Sequence, residues 1–363
     1  MRAITRVLLV CSVAVVAAGC ELFGGGSGGS GTGVPVDGCD DPESLAAWQD
    51  ARTALQKGDD QRALPLLERV AARCPDLVRA HLAYQDAARR AGGDVEQRMV
   101  AFYSKAEDRR SPVPAYLRAR LAETAYAQAN DLQKILSGHP GFAWAHLSLG
   151  RVNRGQGRLS EALGDFERAV GRDAELAEAR LERAQVLAEL GRNEESAIDY
   201  RTYLRARPAD TEAAREFVTL LLYKLGRVDE AMDWIKRLQS NGDRSIALRM
   251  DLAAAIWRRG VPRSAVEEYI GVLVDAPQTA RAALNIGLLY YEIVPKTDED
   301  KRRYWPRARA AFRMFLATTE PSDGHEQFER TWAVPYRLGR IADLLGAGPE
   351  RAPTIDDLRW PED

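Results

Sequence analysis

The sequence predicts an all-α fold: a superhelix, or α-solenoid, of about seven to eight stacked helical hairpins closed by a C-terminal capping helix. Three observations predict it. The chain has 363 residues, of which 45% are hydrophobic and 29% charged, which is enough to bury a sizeable core and excludes disorder as the main state. Apolar residues recur at helical spacing through residues 43–320, and a glycine returns at a nearly constant interval.

The charge balance and the cysteine and histidine counts exclude several classes of protein. Lys and Arg total 51 against 53 Asp and Glu, a formal charge of −2, so no basic surplus drives nucleic-acid binding. Four cysteines and four histidines are too few for a disulfide-dense domain or a multi-metal site. We therefore expect no nucleic-acid partner, no metal and no other cofactor.

A repeat frame begins at each of four glycines. Gly157, Gly191, Gly226 and Gly260 are separated by 34, 35 and 34 residues. A small residue or alanine follows after five positions and a large apolar or aromatic residue after nine: Ala162 and Phe166, Ser196 and Tyr200, Ala231 and Ile235, and Ala265 and Tyr269. Each glycine supplies the left-handed conformation that ends a first helix, and a second helix follows it.

A small or compact residue stands seven positions before each of these glycines, where the two helices of a hairpin must approach closely. These residues are Gly150, Ala184, Thr219 and Ala253, and an earlier copy has Ala51 before Gly58. The arrangement resembles the tetratricopeptide repeat, a helix-turn-helix unit of 34 residues. The resemblance is clearest over residues 142–294 and degenerate over 98–140, and it implies a superhelix that works as a binding scaffold.

Residues 321–363 are predicted to form a capping helix and an irregular tail. The segment from His325 to Leu345 carries Phe328, Trp332, Tyr336, Leu338, Ile341 and Leu345 at helical spacing, as expected of a closing helix. Pro335 should kink or split this helix. Earlier in the chain, the charged stretch from Pro295 to Trp305 interrupts one repeat and should project from the edge of the superhelix.

Residues 1–19 have the pattern of a secretory signal peptide. Arg2 and Arg6 precede an uncharged run that is too short to span a bilayer comfortably. The run ends in Ala17-Ala18-Gly19-Cys20, which resembles the lipobox of bacterial lipoproteins. That resemblance implies cleavage before Cys20 and acylation of this cysteine, which would anchor the chain to a lipid bilayer. The alternative is an ordinary cleaved signal followed by a chance cysteine.

Residues 20–42 are predicted to be the lipidated cysteine and a tether. The segment from Gly24 to Gly33 is rich in glycine and serine and forms a flexible coil with nothing to bury. Glu21 follows the predicted lipidated position, where enteric bacteria use Asp to retain lipoproteins in the inner membrane. The resemblance therefore favours the outer membrane, with the folded body on the periplasmic side.

Cys39 and Cys74 are the two cysteines that stay in the mature body if Cys11 leaves with the signal and Cys20 carries lipid. An even pair in an oxidising compartment predicts a disulfide between them. The alternative is two free thiols.

The first helices of such repeats line the concave side of a superhelix, so positions 34 or 35 residues apart become neighbours along one groove. One series is Arg154, Ala188, Tyr223, Trp257 and Tyr291; a second is Arg151, Gln185, Leu220, Ala254 and Leu288, with Trp144 one helical turn away. The predicted partner-binding residues are Trp144, Arg151, Arg154, Tyr223, Trp257 and Tyr291. Flat rings suit an extended peptide or a sugar chain. The alternative for each ring is packing between repeats.

Chaperone-binding members of the tetratricopeptide family hold a C-terminal carboxylate with Lys and Asn from their first helices. The corresponding stripe in this sequence is Leu147, Leu181, Glu216, Met250 and Leu284. Because the stripe has no lysine, this class of ligand is disfavoured.

No catalytic residue is predicted. The sequence has no Gly-x-x-x-x-Gly-Lys-Ser/Thr phosphate loop, no His-Glu-x-x-His zinc helix and no Gly-x-Ser-x-Gly elbow, and we interpret His81 and His146 as packed helix residues. We therefore expect a non-enzymatic, lipid-anchored scaffold that binds protein partners in cell-envelope or outer-membrane assembly, with no small-molecule substrate. The alternative is a non-catalytic activator or binder in envelope polysaccharide or peptidoglycan metabolism.

Overall fold

A computed structural model describes residues 39–105, 111–318 and 324–362. The predicted signal peptide, Cys20 and most of the predicted tether lie outside these residues. The helices of the first four hairpins are α1 Pro42–Gln56, α2 Asp60–Arg73, α3 Val78–Ala91, α4 Gly93–Lys105, α5 Val113–Ala119, α6 Ala125–Gly138, α7 Ala143–Gly155 and α8 Leu159–Arg172. The next four hairpins comprise α9 Ala177–Glu189, α10 Asn193–Ala206, α11 Thr211–Thr219, α12 Val228–Ser240, α13 Ile246–Arg258, α14 Pro262–Asp275, α15 Ala280–Leu288 and α16 Asp298–Ala317.

Each odd-numbered helix packs against the even-numbered helix that follows it, and each hairpin packs on the next. The part of the chain that the structure describes contains these eight hairpins, then α17 Gly324–Phe328 and α18 Val334–Leu345, and no strand. The predicted all-α superhelix of about seven to eight stacked hairpins is confirmed. The core is a row of clusters between the helices, not a single centre, because each hairpin buries its apolar faces against its neighbours.

A glycine in the left-handed conformation ends the first helix of most hairpins. Gly157, Gly191 and Gly260 have φ angles of 74°, 77° and 80°. The residue after the glycine donates its N–H back into the helix, as Arg158 does to the carbonyl of Asn153 at 2.9 Å. This reversal satisfies helix-terminal carbonyls in a conformation that a Cβ would disfavour.

Gly150 lies at the contact between α7 and α8. A Cβ at this position would come within 2.6 Å of the ring of Phe166, which is fully buried. Gly287 holds the same relationship to Phe312 in the eighth hairpin. The absence of a side chain thus makes room for the aromatic residue of the second helix.

A π turn absorbs one extra residue in the sixth hairpin. α11 continues into Leu220–Lys224, where Leu225 donates its N–H to the carbonyl of Leu220, five residues back. The first helices begin at residues 177, 211 and 246, so the 35-residue interval seen in the sequence falls within this hairpin. Counting back seven positions from Gly226 is therefore wrong by one residue: Val218 is buried at the helix contact and Thr219 is exposed.

The degenerate stretch of the sequence coincides with an unusually short helix. α5 has only seven residues, Val113–Ala119, and is the first helix of the third hairpin. Tyr116 on this helix is fully buried, and its hydroxyl lies 3.0 Å from the Ser148 hydroxyl on α7. The short hairpin is thereby joined to the next repeat.

Cys39 and Cys74 form a disulfide, as predicted, with their Cα atoms 5.1 Å apart. The bond joins the segment before α1 to the residue that ends α2. Cys74 is buried, and its carbonyl oxygen lies 2.9 Å from Nε2 of His81 on α3. The disulfide therefore closes the first hairpin at its contact with the second.

The charged insertion does not project from the superhelix, contrary to expectation. Its residues from Asp298 onward form the first turns of α16, a helix of 20 residues. Trp305 is only 7% exposed because its ring stacks on Tyr291 at a centroid distance of 4.9 Å. No helix in the described ranges combines the length and the apolar character needed to cross a membrane.

Pro335 was expected to kink or split the last helix, and the structure shows no split there. α17, a π turn at Glu329–Ala333 and α18 follow one another without a break, with the proline near the start of α18. Val334 and Ile341 face the core, whereas Phe328, Trp332 and Tyr336 are 57%, 69% and 69% exposed and do not close it. The stripe predicted to cap the core thus lies on two opposite faces.

The tail after Gly346 is irregular except for a 3₁₀ turn at Ile355–Leu358. Leu358 is fully buried, and its carbonyl accepts a hydrogen bond of 2.9 Å from the hydroxyl of Tyr290. Trp360 packs against Tyr290 and Tyr304. The tail therefore seals the eighth hairpin from the side of the second helices.

Candidate functional site

A cleft of about 870 Å³ lies between the first helices of the last repeats, and we call it the first-helix cleft. Its walls come from α11 with its π turn, α13, α14, α15 and α17. The lining residues are Thr219, Tyr223, Ala247, Met250, Asp251, Ala254, Trp257, Arg258, Tyr269, Gln278, Thr279, Ala280, Arg281, Leu284, Asn285, His325 and Glu326. Consecutive repeats thus contribute equivalent positions to one surface, as the superhelix predicts.

Two of the predicted partner-binding residues meet in this cleft. Tyr223, in the π turn, is 45% exposed, and Trp257, on α13, is half-buried. They come from adjacent repeats and lie 34 positions apart in the sequence. The series proposed from the sequence therefore brings its central aromatic pair to a shared, open surface.

The Tyr223 ring is held on both sides. Its hydroxyl donates a hydrogen bond of 2.9 Å to Oδ1 of Asp251 on α13. The guanidinium of Arg258 lies 5.3 Å from the ring centroid and also donates to the carbonyl of Leu222. That carbonyl belongs to the last turn of a helix, where carbonyls have no helical N–H partner. The π turn and α13 are thus fastened together around Tyr223.

Asp251 forms no ion pair with any residue that the structure describes, and the Tyr223 hydroxyl is its hydrogen-bond donor. Burial raises the pKa of the Asp251 carboxyl, and the hydrogen bond from Tyr223 opposes that shift. A desolvated carboxylate without a cation favours any ligand that brings a positive charge.

Tyr269 contributes an unused hydroxyl to the wall of the cleft. The residue is fully buried, and its Oη has no hydrogen-bond partner of normal geometry among the described residues, although the Asn285 amide is nearby. Burial raises the pKa of the Tyr269 phenol to about 12, against the effect of Asn285. The phenol therefore stays neutral and lies beneath the surface of the cleft, out of contact with solvent.

An ion pair closes one end of the cleft. Arg281 on α15 lies 3.4 Å from Glu326 on α17, and Glu326 is only 2% exposed. Because this carboxylate is paired and Arg258 is engaged with Tyr223 and Leu222, Asp251 is the charged group of the cleft that lacks an opposite charge.

Trp144 is not a groove residue. It is 2% exposed and lies within the core, with the guanidinium of Arg79 at 5.7 Å from its ring. Arg79, on α3, also lies 3.6 Å from Glu178 on α9. The superhelix curls tightly enough for α3 to reach α9, and Arg79 covers the indole where the sequence predicted an open groove.

Arg151 and Arg154 do lie on the surface, but acidic residues of the next repeat engage both. Arg151 pairs with Glu182 at 2.6 Å, and Arg154 pairs with Glu182 at 3.1 Å and Glu189 at 2.5 Å. Their charges are therefore neutralised between α7 and α9. Tyr291 does not line the first-helix cleft, because it stacks on Trp305 of α16, so this ring packs inside the eighth hairpin.

The π turn also shifts the two remaining series by one residue. Leu220 is buried, and Thr219 takes its place on the cleft wall. In the stripe compared with carboxylate-binding members, helix starts 34 residues apart align Leu181 with Arg215 and not with Glu216. Arg215 is a cation, but it lies 3.5 Å from Asp243. A bulge that sequence spacing could not locate thus decides which side chains face the groove.

The described residues contain no cluster suited to metal binding, and His81 is held by packing contacts. No group of three or more His, Cys, Asp or Glu side chains among them could hold a metal ion. His81 is buried with Nδ1 at 2.8 Å from the hydroxyl of Tyr103 and Nε2 beside the Cys74 carbonyl, and burial lowers the pKa of its ring. It is a packed helix residue, as interpreted from the sequence.

The family comparison agrees with this geometry. A tetratricopeptide-repeat family model matches residues 117–177 and 147–211, about a quarter of the chain. The superhelix is of the tetratricopeptide-repeat type. Proteins with this fold are generally scaffolds that bind other proteins on their concave surfaces. No curated protein matches the chain.

Several solved tetratricopeptide-repeat structures are similar in fold. YrrB, described as having an unusual peptide-binding site, is 16% identical with a TM-score of 0.40, covering 60% of this chain and 93% of its own. TTC0263 from Thermus thermophilus is 18% identical with a TM-score of 0.38, covering 49% and 99%. PilW, a type IV pilus biogenesis factor, is 16% identical with a TM-score of 0.39, covering 65% and 95%. These likenesses concern the fold alone.

Proposed function

We propose that this tetratricopeptide-repeat protein is a non-enzymatic scaffold that binds a segment of a partner polypeptide in the first-helix cleft. The observation that carries the proposal is the open pair of rings, Tyr223 and Trp257, around the unpaired carboxylate of Asp251. Rings bind extended chains with little loss of conformational entropy, and concave surfaces of stacked hairpins offer them over several repeats.

The chemistry of the cleft favours a partner segment with a lysine or arginine. A cation placed at Asp251 would neutralise a carboxylate that burial has desolvated, and would lie beside Trp257 and Tyr223 in the geometry of a cation–π contact. Both arginines of the cleft already have partners. A lysine or arginine of the partner segment would therefore meet the Asp251 carboxylate without competition from them.

The cellular setting of the proposal comes from the N-terminal sequence. A lipid anchor at Cys20, followed by a Gly- and Ser-rich tether, would hold the superhelix on the periplasmic side of the membrane, with the outer membrane favoured by Glu21. The Cys39–Cys74 disulfide supports an oxidising compartment. We place the scaffold in cell-envelope or outer-membrane assembly.

A photo-crosslinking amino acid at Gln278, an exposed residue on the rim of the cleft, tests the proposal in cells that make the full-length chain. We expect one discrete protein adduct whose yield falls in Asp251→Asn and Trp257→Ala. Tyr126→Ala is the matched control, because Tyr126 is 75% exposed and lies on α6, outside the cleft. An adduct that contains only glycan, or that persists in both cleft variants, contradicts the proposal.

A further inference from the structure

The last helix of the superhelix is built as the first helix of a ninth hairpin. Gly339 precedes Gly346 by seven residues, as Gly150 precedes Gly157. Gly346 has a φ of 77°, close to the 74° of Gly157, and each follows a first helix. The sequence and the backbone thus repeat the end of a first helix at this point.

No second helix follows Gly346 in the described chain. The tail runs back across α16, where Arg309 donates to the Gly346 carbonyl at 2.7 Å and Arg313 donates to the carbonyl of Pro349. In the fourth and eighth hairpins the aromatic ring of the second helix rests on the small residue, as Phe166 does on Gly150 and Phe312 on Gly287. No atom of the described residues lies within 4 Å of a Cβ built on Gly339. Within the described ranges, nothing occupies the place that a second helix would take beside Gly339.

The uncovered face is aromatic instead of polar. Trp332 and Tyr336 hold the positions of Ala280 and Leu284 of the preceding repeat, counted from Gly339 and Gly287. Ala280 and Leu284 are 8% and 1% exposed, whereas Trp332 and Tyr336 are each 69% exposed. Phe328 continues the stripe one turn earlier at 57%. A terminal repeat normally presents a polar outer face, so an aromatic stripe here indicates an interface.

We propose that a second copy of this chain covers the stripe, through an antiparallel contact between the two last helices. The rings and the open space over Gly339 lie on the same face of one helix. The surface is therefore complementary to itself, which is the requirement of a two-fold interface. Trp332 of each copy packs over Gly339 of the other, as Phe166 packs over Gly150 within a hairpin. Each copy thereby receives the aromatic ring that its missing second helix would supply.

The register of this contact follows from the pairing. If Trp332 opposes Gly339 of the second copy, residues 335 and 336 lie midway between them and fall at the two-fold axis. Pro335 is exposed and is not one of the rings of the stripe. A cysteine in its place would therefore put a thiol close to the two-fold axis and remove none of these rings. The proposal does not depend on ligand binding in the first-helix cleft, because Asp251 and Trp257 belong to earlier repeats.

Thiol crosslinking of the full-length chain in cells tests the register. With a short bismaleimide, Pro335→Cys should give a covalent dimer, and the chain without the added cysteine sets the background. Adding Gly339→Leu fills the open space over residue 339 and should reduce the yield of covalent dimer at least tenfold. Adding Gly171→Leu should leave it unchanged, since Gly171 is also a helical glycine with nothing within 4 Å of its Cβ position.

Sedimentation velocity of the purified full-length chain gives an independent readout. We expect a dimer for the wild type and Gly171→Leu, and a monomer for Gly339→Leu and Trp332→Ala with unchanged helical circular dichroism. A wild-type chain that stays monomeric, or a dimer that survives both Gly339→Leu and Trp332→Ala, overturns the proposal. So does a Pro335→Cys crosslink whose yield is the same in the Gly339→Leu background.

Discussion

The hydroxyl of Tyr223 donates a hydrogen bond of 2.9 Å to the carboxylate of Asp251, and so joins the π turn of one repeat to the first helix of the next. The contact exists because the π turn adds one residue to α11. It also fixes the orientation of the only predicted aromatic pair that reaches the first-helix cleft.

Asp251→Asn should raise the melting temperature at pH 7. Burial raises the pKa of the Asp251 carboxyl, so the folded state disfavours the charged form more than the unfolded state does. The resulting loss of stability is present above the raised pKa and disappears as the pH falls through it towards the ordinary value of 3.8. Thermal denaturation of both chains from pH 7.5 to 3.5 should show two curves that converge on acidification; a gap that widens at low pH contradicts the assignment.

The same substitution should weaken partner capture while it stabilises the free protein. Loss of a charged hydrogen-bonding group is expected to reduce affinity by roughly tenfold or more. The yield of the Gln278 crosslink, measured beside the melting temperature of each variant, separates the two effects. A parallel rise in stability and crosslinking would show that Asp251 does not contact the partner.

Deleting Lys224 should remove the π turn and restore the 34-residue interval. Tyr223 would then occupy the exposed position of Lys224 and turn away from Asp251 by about 100°, the angle between successive residues of an α-helix. We expect the Gln278 crosslink to be lost while the helical circular dichroism is retained. Lys224→Ala, which removes the side chain without changing the spacing, is the control and should crosslink like the wild type.

Gly150→Ala should destabilise the protein by about 1–3 kcal/mol, the usual cost of overpacking a close contact. The added Cβ would lie 2.6 Å from the Phe166 ring, and the ring is fully buried and cannot move away freely. Gly164→Ala on α8 is the control: its nearest contact is an ordinary 3.7 Å to the Arg168 side chain, so a gain of about 0.5–1 kcal/mol is expected from helix propensity. The urea midpoints of the two variants should shift in opposite directions from that of the wild type.

Cys39→Ser should lower the stability of the first hairpin by about 3–4 kcal/mol, the chain-entropy value for a loop of this length. The disulfide spans a sequence separation of 35 residues and closes α1 onto α2. Hydrogen exchange should therefore quicken in Pro42–Arg73 and stay unchanged beyond α7. Full alkylation of Cys39 and Cys74 without reductant would show that the bridge does not form in the cell.

Local sequence signals predicted much of the fold because each acts over a few residues. Gly157 sets a left-handed turn, and Gly150 must be small where Phe166 packs, so the sequence shows both wherever the hairpin repeats. The disulfide partners followed from the cysteine count. The site was predicted only in part: Tyr223 and Trp257 meet in the cleft, whereas Trp144 is buried and Tyr291 stacks on Trp305.

Asp251, Tyr269 and the Arg281–Glu326 pair were not singled out from the sequence. An acidic residue in a helix is ordinarily solvated, and only the neighbours that surround Asp251 remove its water and leave it without a cation. A signal was available in the 35-residue interval, because an extra residue in a helical repeat must be absorbed as a bulge. Its position, and hence the residues that face the cleft, could not be read from spacing alone.

The sequence by itself determined the repeating hairpin, its turns, the apolar faces that must stack and the pairing of Cys39 with Cys74. Those features depend on short-range sterics, periodicity and chain connectivity. The tertiary structure alone decided which rings are covered. The curl of the superhelix places Arg79 over Trp144, and the π turn aims Tyr223 at Asp251. At the last helix, no second helix in the described ranges covers Trp332 and Gly339. Exposure is set by how successive repeats are rotated against one another, and small rotations accumulate along a superhelix beyond the reach of any local pattern.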